Sequence, residues 1–462
     1  MNRSAVREIQ ASGVRVQKDE VLVPTLVGDE VHGPLTCPAA PLVAGSLQRR
    51  GRRVRLAPVA RLADPLSDGE AVLYLATCPQ PDGGTAAIAA AAALGDRRAA
   101  SFAVAAVEEW AAIVGSRVLL AAGSPWCSGA LRAADSYRKS AAEHASDTST
   151  VRLLEPLALP PETAAELARL GVVPVTSLSD AQEGDVIVFP AHGVSAEIRT
   201  EAAERGLIVV DATCPLVARA QETAGRLASR GQHVVLIGPR DAAATAPIAS
   251  RAAAHVTLVE NVAGTTALNA GDAQRISYLL HPGIPVEAAD GVIAALRSRY
   301  PAAQGTPPVD LCYAPSDRAA TVRAVAIGSD LVLVLGDPQS GDARQLTAQA
   351  REAGARVQVV SAVRDLTPAM LAGVTTLGTV ESTSAPAGLI GQVITAIGGL
   401  GQLTVARRQV STELTGPGAG IWPAATVPSS PGQGEPGQAE PGQADPGQAG
   451  AEAPRTRLAA VR

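Results

Sequence analysis

The strongest constraint on the fold is a recurring pattern. Short unbroken runs of Val, Leu and Ile are separated by Ala-rich stretches studded with Arg and Glu. The runs are EVLVPTL (20–26), AVLYLAT (71–77), RVLLAAG (117–123), DVIVFPA (185–191), GLIVVDA (206–212), HVVLIG (233–238), DLVLVLG (330–336) and RVQVVS (356–361). They are continuous rather than alternating, as expected of strands buried on both faces of a parallel sheet. The helical stretches between them imply right-handed crossover units. The expected fold class is α/β, built from several small parallel-sheet βαβ units.

Composition limits how such units are filled. Aromatic residues make up 2% of the 462-residue chain and apolar residues 47%, so the cores must be Val, Leu, Ile and Ala. A chain of this length divides into several domains. The net charge is −5, without a basic domain. That argues against nucleic-acid binding, which needs clustered Lys and Arg. The first twenty residues lack the apolar core of a secretory signal, and no run reaches the ~18 apolar residues of a membrane span. A cytoplasmic, reducing setting and no membrane partner are the expectations.

Four regions are expected. Residues 1–19 form an N-terminal arm, 20–115 an additional small α/β domain, 116–404 the core, and 405–462 a disordered tail. In the tail, Pro-Gly-Gln recurs four times at a spacing of five, and such sequence buries too little apolar surface to order itself. In the small domain, 21–58 reads as strand, turn, cysteine and helix, and VLYLATCPQPDGGTAAIAAAAALG repeats the plan. The basic run at 49–55 reads as a solvated face, or as a docking patch for an acidic electron donor.

Five cysteines are widely spread: Cys37, Cys78, Cys127, Cys214 and Cys312. Their odd number argues against a disulfide framework. They are either small buried residues or ligands. In open parallel sheets, ligands bind beyond the carboxyl ends of the strands. Cys78, Cys127, Cys214 and His192 stand there, in ATCP, SPWCSG, DATCP and FPAHGVS. Cys312, in VDLCYAPSDR, sits similarly between a short apolar run and a helix. Cys127 and Cys214 directly precede helices, whose N-termini favour a thiolate. Three such thiolates can converge on one four-iron cluster and leave one iron open.

The stretch 186–238, with Ala-His-Gly-Val-Ser and Asp-Ala-Thr-Cys-Pro-Leu-Val, resembles the 4-hydroxy-3-methylbut-2-enyl diphosphate reductase family (IspH/LytB). RVLLAAGSPWCSGALRAADSYRKSA, VDLCYAPSDRAATVRAVA, VLGDPQSGDARQL and VESTSAP resemble its other segments. The likeness runs collinearly from about 116 to 400. It implies three pseudo-symmetric α/β units around a four-iron four-sulfur cluster held by Cys127, Cys214 and Cys312. It implies His192, Ser340 and Ser384 as diphosphate ligands, and a ferredoxin- or flavodoxin-like electron donor. The implied reaction is reductive dehydroxylation of an allylic diphosphate to isopentenyl and dimethylallyl diphosphate, in the non-mevalonate route.

The same comparison marks departures. The family's His-x-x-His-Pro-Glu stretch is PRDAAATAP here. Ala242 replaces a diphosphate-binding histidine and Ala244 the proton-relaying glutamate; alanine can serve neither purpose. Another family histidine maps near Leu159 or Pro160. The Gln-Thr-Thr segment is His281-Pro282-Gly283. The Ser-Ser-Asn loop is Ser340-Gly341-Asp342, which places a carboxylate where an anion should bind. His281 and Arg240 are candidates to compensate. Cys78 is a candidate fourth thiolate, and His32 with Cys37 a candidate second ligand site. Two other readings stand beside the reductase: a paralogue reducing another ligand, and a non-catalytic iron–sulfur partner or sensor.

Overall fold

The computed structural model describes residues 5–11, 14–29, 33–59, 71–113, 117–144, 150–154, 161–240, 242–269, 272–413 and 455–461. His32, Leu159 and Pro160, and residues 414–454 of the expected tail, lie outside the described residues. Among the described residues, no helix is long and apolar enough to cross a membrane.

Three parallel arrays make up the core. One sheet joins Val151–Leu154, Val173–Val175, Val186–Phe189 and Ile208–Asp211, all pairing in parallel. A second places His233–Ile237 between Val256–Val259 and Ile276–Leu280. The third runs Arg356–Val360, Leu331–Leu335, Thr376–Glu381, Arg117–Ala121 and Thr404–Glu413 in parallel, with Arg455–Val461 antiparallel at its edge. The α/β class inferred from unbroken apolar runs is what the chain adopts.

The third sheet shows why its strands need apolar residues on both faces. Val332, Val334, Val380 and Leu119 pack with Val322, Val325 and Leu346 of the helices Ala314–Ile327 and Gly341–Glu352. Leu331, Leu333, Leu335 and Leu377 point the other way, into a core shared with the N-terminal region. The period-2 alternation of a strand produces this division.

That N-terminal region differs from the expected parallel plan. It is a six-stranded mixed sheet. Arg7–Ala11, from the expected arm, pairs antiparallel with Ala71–Leu75. The Ala-rich stretch read as a helix is instead the strand Thr85–Ala93, antiparallel to Ala71–Pro79. The turn at Gln80–Gly84 closes it as a hairpin, with the Gln80 and Gly84 backbones hydrogen bonded. Its alanines are almost all buried, because burial among neighbouring strands and helices overrides their helix propensity. The helices Ala40–Arg49 and Arg97–Ala111 cover this sheet, and Trp110 Nε1 donates to Ser46 Oγ between them at 3.0 Å.

Two described segments of the expected disordered tail are strands, Thr404–Glu413 and Arg455–Val461. Thr404–Glu413 is a strand beside Arg117–Ala121, with Val410 buried and its N–H donating to Thr321 Oγ1 at 2.9 Å.

Candidate metal centre and anion cavity

Each of the three candidate cysteines sits where a loop enters a helix. Cys127 precedes Ser128–His144, and its Sγ accepts from Ala130 N at 3.4 Å. Cys214 is the N-cap of Pro215–Ser229, with Pro215 in the first turn where its missing N–H costs nothing. Cys312 lies between the short turn Pro308–Asp310 and the helix Ala314–Ile327.

These loops are far apart in sequence but tied together. Cys214 N donates to Ala191 O at 2.8 Å, which joins the Asp-Ala-Thr-Cys turn to the loop of His192. Arg219, one helical turn beyond Cys214, pairs with Asp310 at 2.6 Å beside Cys312. Within the Cys214 turn, Asp211 accepts from Thr213 N at 3.0 Å and from Arg199 at 2.6 Å. Burial alone would raise the Asp211 carboxyl, but these partners hold it below the usual carboxylate range.

Cys127 and Cys214 converge over Gly129. A Cβ at that position would lie 2.7 Å from Cys214 Sγ and 3.7 Å from Cys127 Sγ. Burial pushes the Cys312 thiol up to about 11, and the nearby Cys127, Cys214 and Asp317 act in the same direction. Cys127, which meets Cys214 over Gly129, also lines one cavity with Cys312. Among the described residues, no three His, Cys, Asp or Glu side chains are grouped to hold a metal ion directly. An iron–sulfur cluster makes a different demand, because each cysteine binds a separate iron. A set made only of thiols suits such a cluster.

Cys127 and Cys312 line a cavity of about 550 Å³, together with Pro282, Gly283, Arg318 and Asp342 among others. Two residues before Asp342 the serine pair of the sequence reading comes together, although neither serine lines the cavity: Ser384 Oγ donates to Ser340 Oγ at 2.9 Å. Ser340 caps Gly341–Glu352 by accepting from Ala343 N at 3.1 Å. Gly336, with φ +144°, gives the serines room, since a Cβ there would overlap Ser382 Oγ.

Asp342 is not the bare anion expected from the sequence. Its Oδ2 accepts from Arg318 at 2.9 Å and from Thr383 N at 2.6 Å. Arg318 also donates to Pro125 O at 2.9 Å and Glu381 O at 3.0 Å. One guanidinium thus braces the Cys127 loop, the serine helix and the Ser384 loop. Sequence reading missed Arg318. Its place one turn into the helix after Cys312 was the available signal.

The two histidines are both buried. His192 follows Ala191, whose carbonyl holds Cys214. His281 Nδ1 accepts from Gly283 N at 3.0 Å, at the cavity rim. Arg240 is not brought to the cavity; it is exposed and pairs loosely with Glu260 at 3.5 Å. Cys37 and Cys78 lie in the apolar core of the N-terminal region, away from the other three. Burial pushes the Cys37 thiol up to about 12.

Fold and site define an α/β protein that gathers loop cysteines beside a cavity of about 550 Å³. Sequence comparison places it further. The profile of the family described as LytB protein matches residues 118–398, and the chain belongs to that family. It is 38% identical over 253 residues to 4-hydroxy-3-methylbut-2-enyl diphosphate reductase 2 of Mycobacterium bovis, covering 54% of this chain and 77% of the relative. It is 32% identical over 279 residues to the enzyme of that name from Mycolicibacterium paratuberculosis, covering 60% and 83%. The structure of the E-1-hydroxy-2-methyl-but-2-enyl-4-diphosphate reductase from Plasmodium falciparum superposes with a TM-score of 0.56 at 20% identity, covering 63% of this chain and 92% of that one. That likeness is one of fold.

Proposed function

We propose that the chain is an oxidoreductase that removes the hydroxyl of 4-hydroxy-3-methylbut-2-enyl diphosphate. The products are isopentenyl and dimethylallyl diphosphate. The convergence of Cys127 and Cys214 on Gly129, with Cys312 lining the same cavity as Cys127, carries this reading. The reaction consumes two electrons and two protons. One proton leaves with the hydroxyl as water, and the other ends on carbon.

Cys127, Cys214 and Cys312 would hold a four-iron four-sulfur cluster, which supplies single electrons and an open iron as Lewis acid. The protein's part is binding and orientation. The Ser340 hydroxyl, at the N-terminus of Gly341–Glu352 and held by Ser384 Oγ, offers a donor and a favourable dipole to phosphate oxygens. His192, behind the Cys214 turn, and His281, at the rim, are the candidates to donate to the remaining oxygens. Ala244, at the family's glutamate position, brings no proton. The acid must therefore come from another side chain or from ordered water. The electron donor is proposed to be a small ferredoxin- or flavodoxin-like protein.

The test is turnover. Anaerobically reconstituted protein is mixed with the hydroxylated diphosphate and dithionite with a viologen mediator. Formation of both isoprenoid diphosphates supports the reading. Full cluster occupancy with no product overturns it.

A further inference from the structure

The cavity's charge is unusual for an anion site. Among the described residues lining it are the carboxylates Asp317, Asp342 and Glu381, and of these described residues Arg318 is the one Lys or Arg. Asp317 is engaged by Thr412 Oγ1 at 2.6 Å. Asp342 takes Arg318 and the Thr383 N–H. The Arg318–Asp342 pair is only about a quarter exposed, at 27% and 23%, so water screens it weakly.

The guanidinium is heavily committed. One terminal nitrogen donates to Pro125 O, and the other to both Asp342 Oδ2 and Glu381 O. A terminal nitrogen carries two hydrogens, so the nitrogen facing Asp342 has none left for a ligand. A phosphate arriving beside Ser340 would meet a carboxylate two residues along the same helix turn, and a cation already neutralised by it.

We infer that Asp342 is a specificity-determining residue: it acts as an internal counter-ion that keeps Arg318 from the ligand and so weakens the cavity's hold on every diphosphate, product included. The inference rests on the reading of the Ser340 helix N-terminus, next to Asp342 at the edge of this cavity, as the diphosphate site. Its consequence is easy release of product at the expense of tight substrate binding. An asparagine at 342, with its amide oxygen in place of Oδ2, would keep the acceptor for Thr383 N and Arg318 while removing the charge that neutralises the guanidinium.

The test is calorimetric titration of the cluster-bearing protein with inorganic pyrophosphate, comparing wild type with Asp342→Asn. Removing one unit charge this close to a polyanion is expected to tighten binding by about tenfold or more, with a steeper salt dependence. Adding Arg318→Lys to Asp342→Asn should remove most of that gain, because lysine cannot reproduce the fork. In turnover, Asp342→Asn should lower KM without raising kcat. Equal or weaker pyrophosphate binding by Asp342→Asn, with iron content unchanged, overturns the inference and leaves the diphosphate reading intact. Failure of both proteins to bind pyrophosphate overturns the diphosphate reading, and this inference with it.

Discussion

Gly129 and Cys214 are in a contact that admits no side chain: a Cβ on Gly129 would stand 2.7 Å from Cys214 Sγ. Gly129 lies in the first turn of the helix that follows Cys127, and Cys214 caps a different helix. Their closeness is how two separate βα loops bring sulfurs to one place. Alanine at 129 suits the helix but forces the sulfur aside, an overpacking that costs about 1–3 kcal/mol. Gly129→Ala is expected to fold, with unchanged helix content by circular dichroism. It should retain markedly less iron after anaerobic desalting.

The N-terminal region shares its core with the third sheet. Leu331, Leu333, Leu335 and Leu377 are almost fully buried in one cluster with Leu42, Leu47 and Trp110. Each such side chain is worth about 1.5–3 kcal/mol when buried. A chain starting at 117 is therefore expected to aggregate or bind a hydrophobic dye, although the family match begins at 118. A milder probe is Arg49, which donates to Arg364 O and to Leu366 O across the joint. Arg49→Met leaves both carbonyls without that donor. It should lower stability in urea by about 1–3 kcal/mol, with little effect on iron content.

Asp185 predicts a pH response. Burial raises its carboxyl, but hydrogen bonds from Gln182 N, Arg152 and Thr150 N outweigh that and hold it below the usual range. A carboxyl depressed in the folded state stabilises above its unfolded value and loses that contribution as pH falls towards its folded value. Asp185→Asn should cost about 1–3 kcal/mol at pH 7. The difference from wild type should shrink below about pH 4. Chemical denaturation at both ends of that range checks the sign; a gap that widens in acid contradicts it.

Cys78 offers a control for the cluster. It is fully buried on a strand of the N-terminal sheet. Cys78→Ala should cost about 1–2 kcal/mol as a small core truncation and leave iron binding unchanged. Loss of iron in this variant would return Cys78 to the ligand set.

What was legible in the sequence follows from locality. Val186–Phe189 and Leu331–Leu335 are unbroken apolar runs because both their faces are buried, so they announce themselves. Cys214 followed by Pro215 reads as a helix start for the same local reason. Thr85–Ala93 misled because alanine's helix preference is local while its burial between strands is not. Thr404–Glu413 was passed over because its arginines and polar residues mask a strand whose partner lies nearly 290 residues earlier. The Asp342 carboxylate was visible, but its partner Arg318 lies on another helix. Whether a charge is bare or paired is settled only by the fold.

The most direct test of the account is the iron and acid-labile sulfide content of anaerobically purified protein, measured for wild type and for Cys127→Ser, Cys214→Ser and Cys312→Ser. About four irons and four sulfides per chain are expected in wild type, with a large loss in each variant. Wild type without sulfide, or variants that keep the wild-type iron content, would contradict the account.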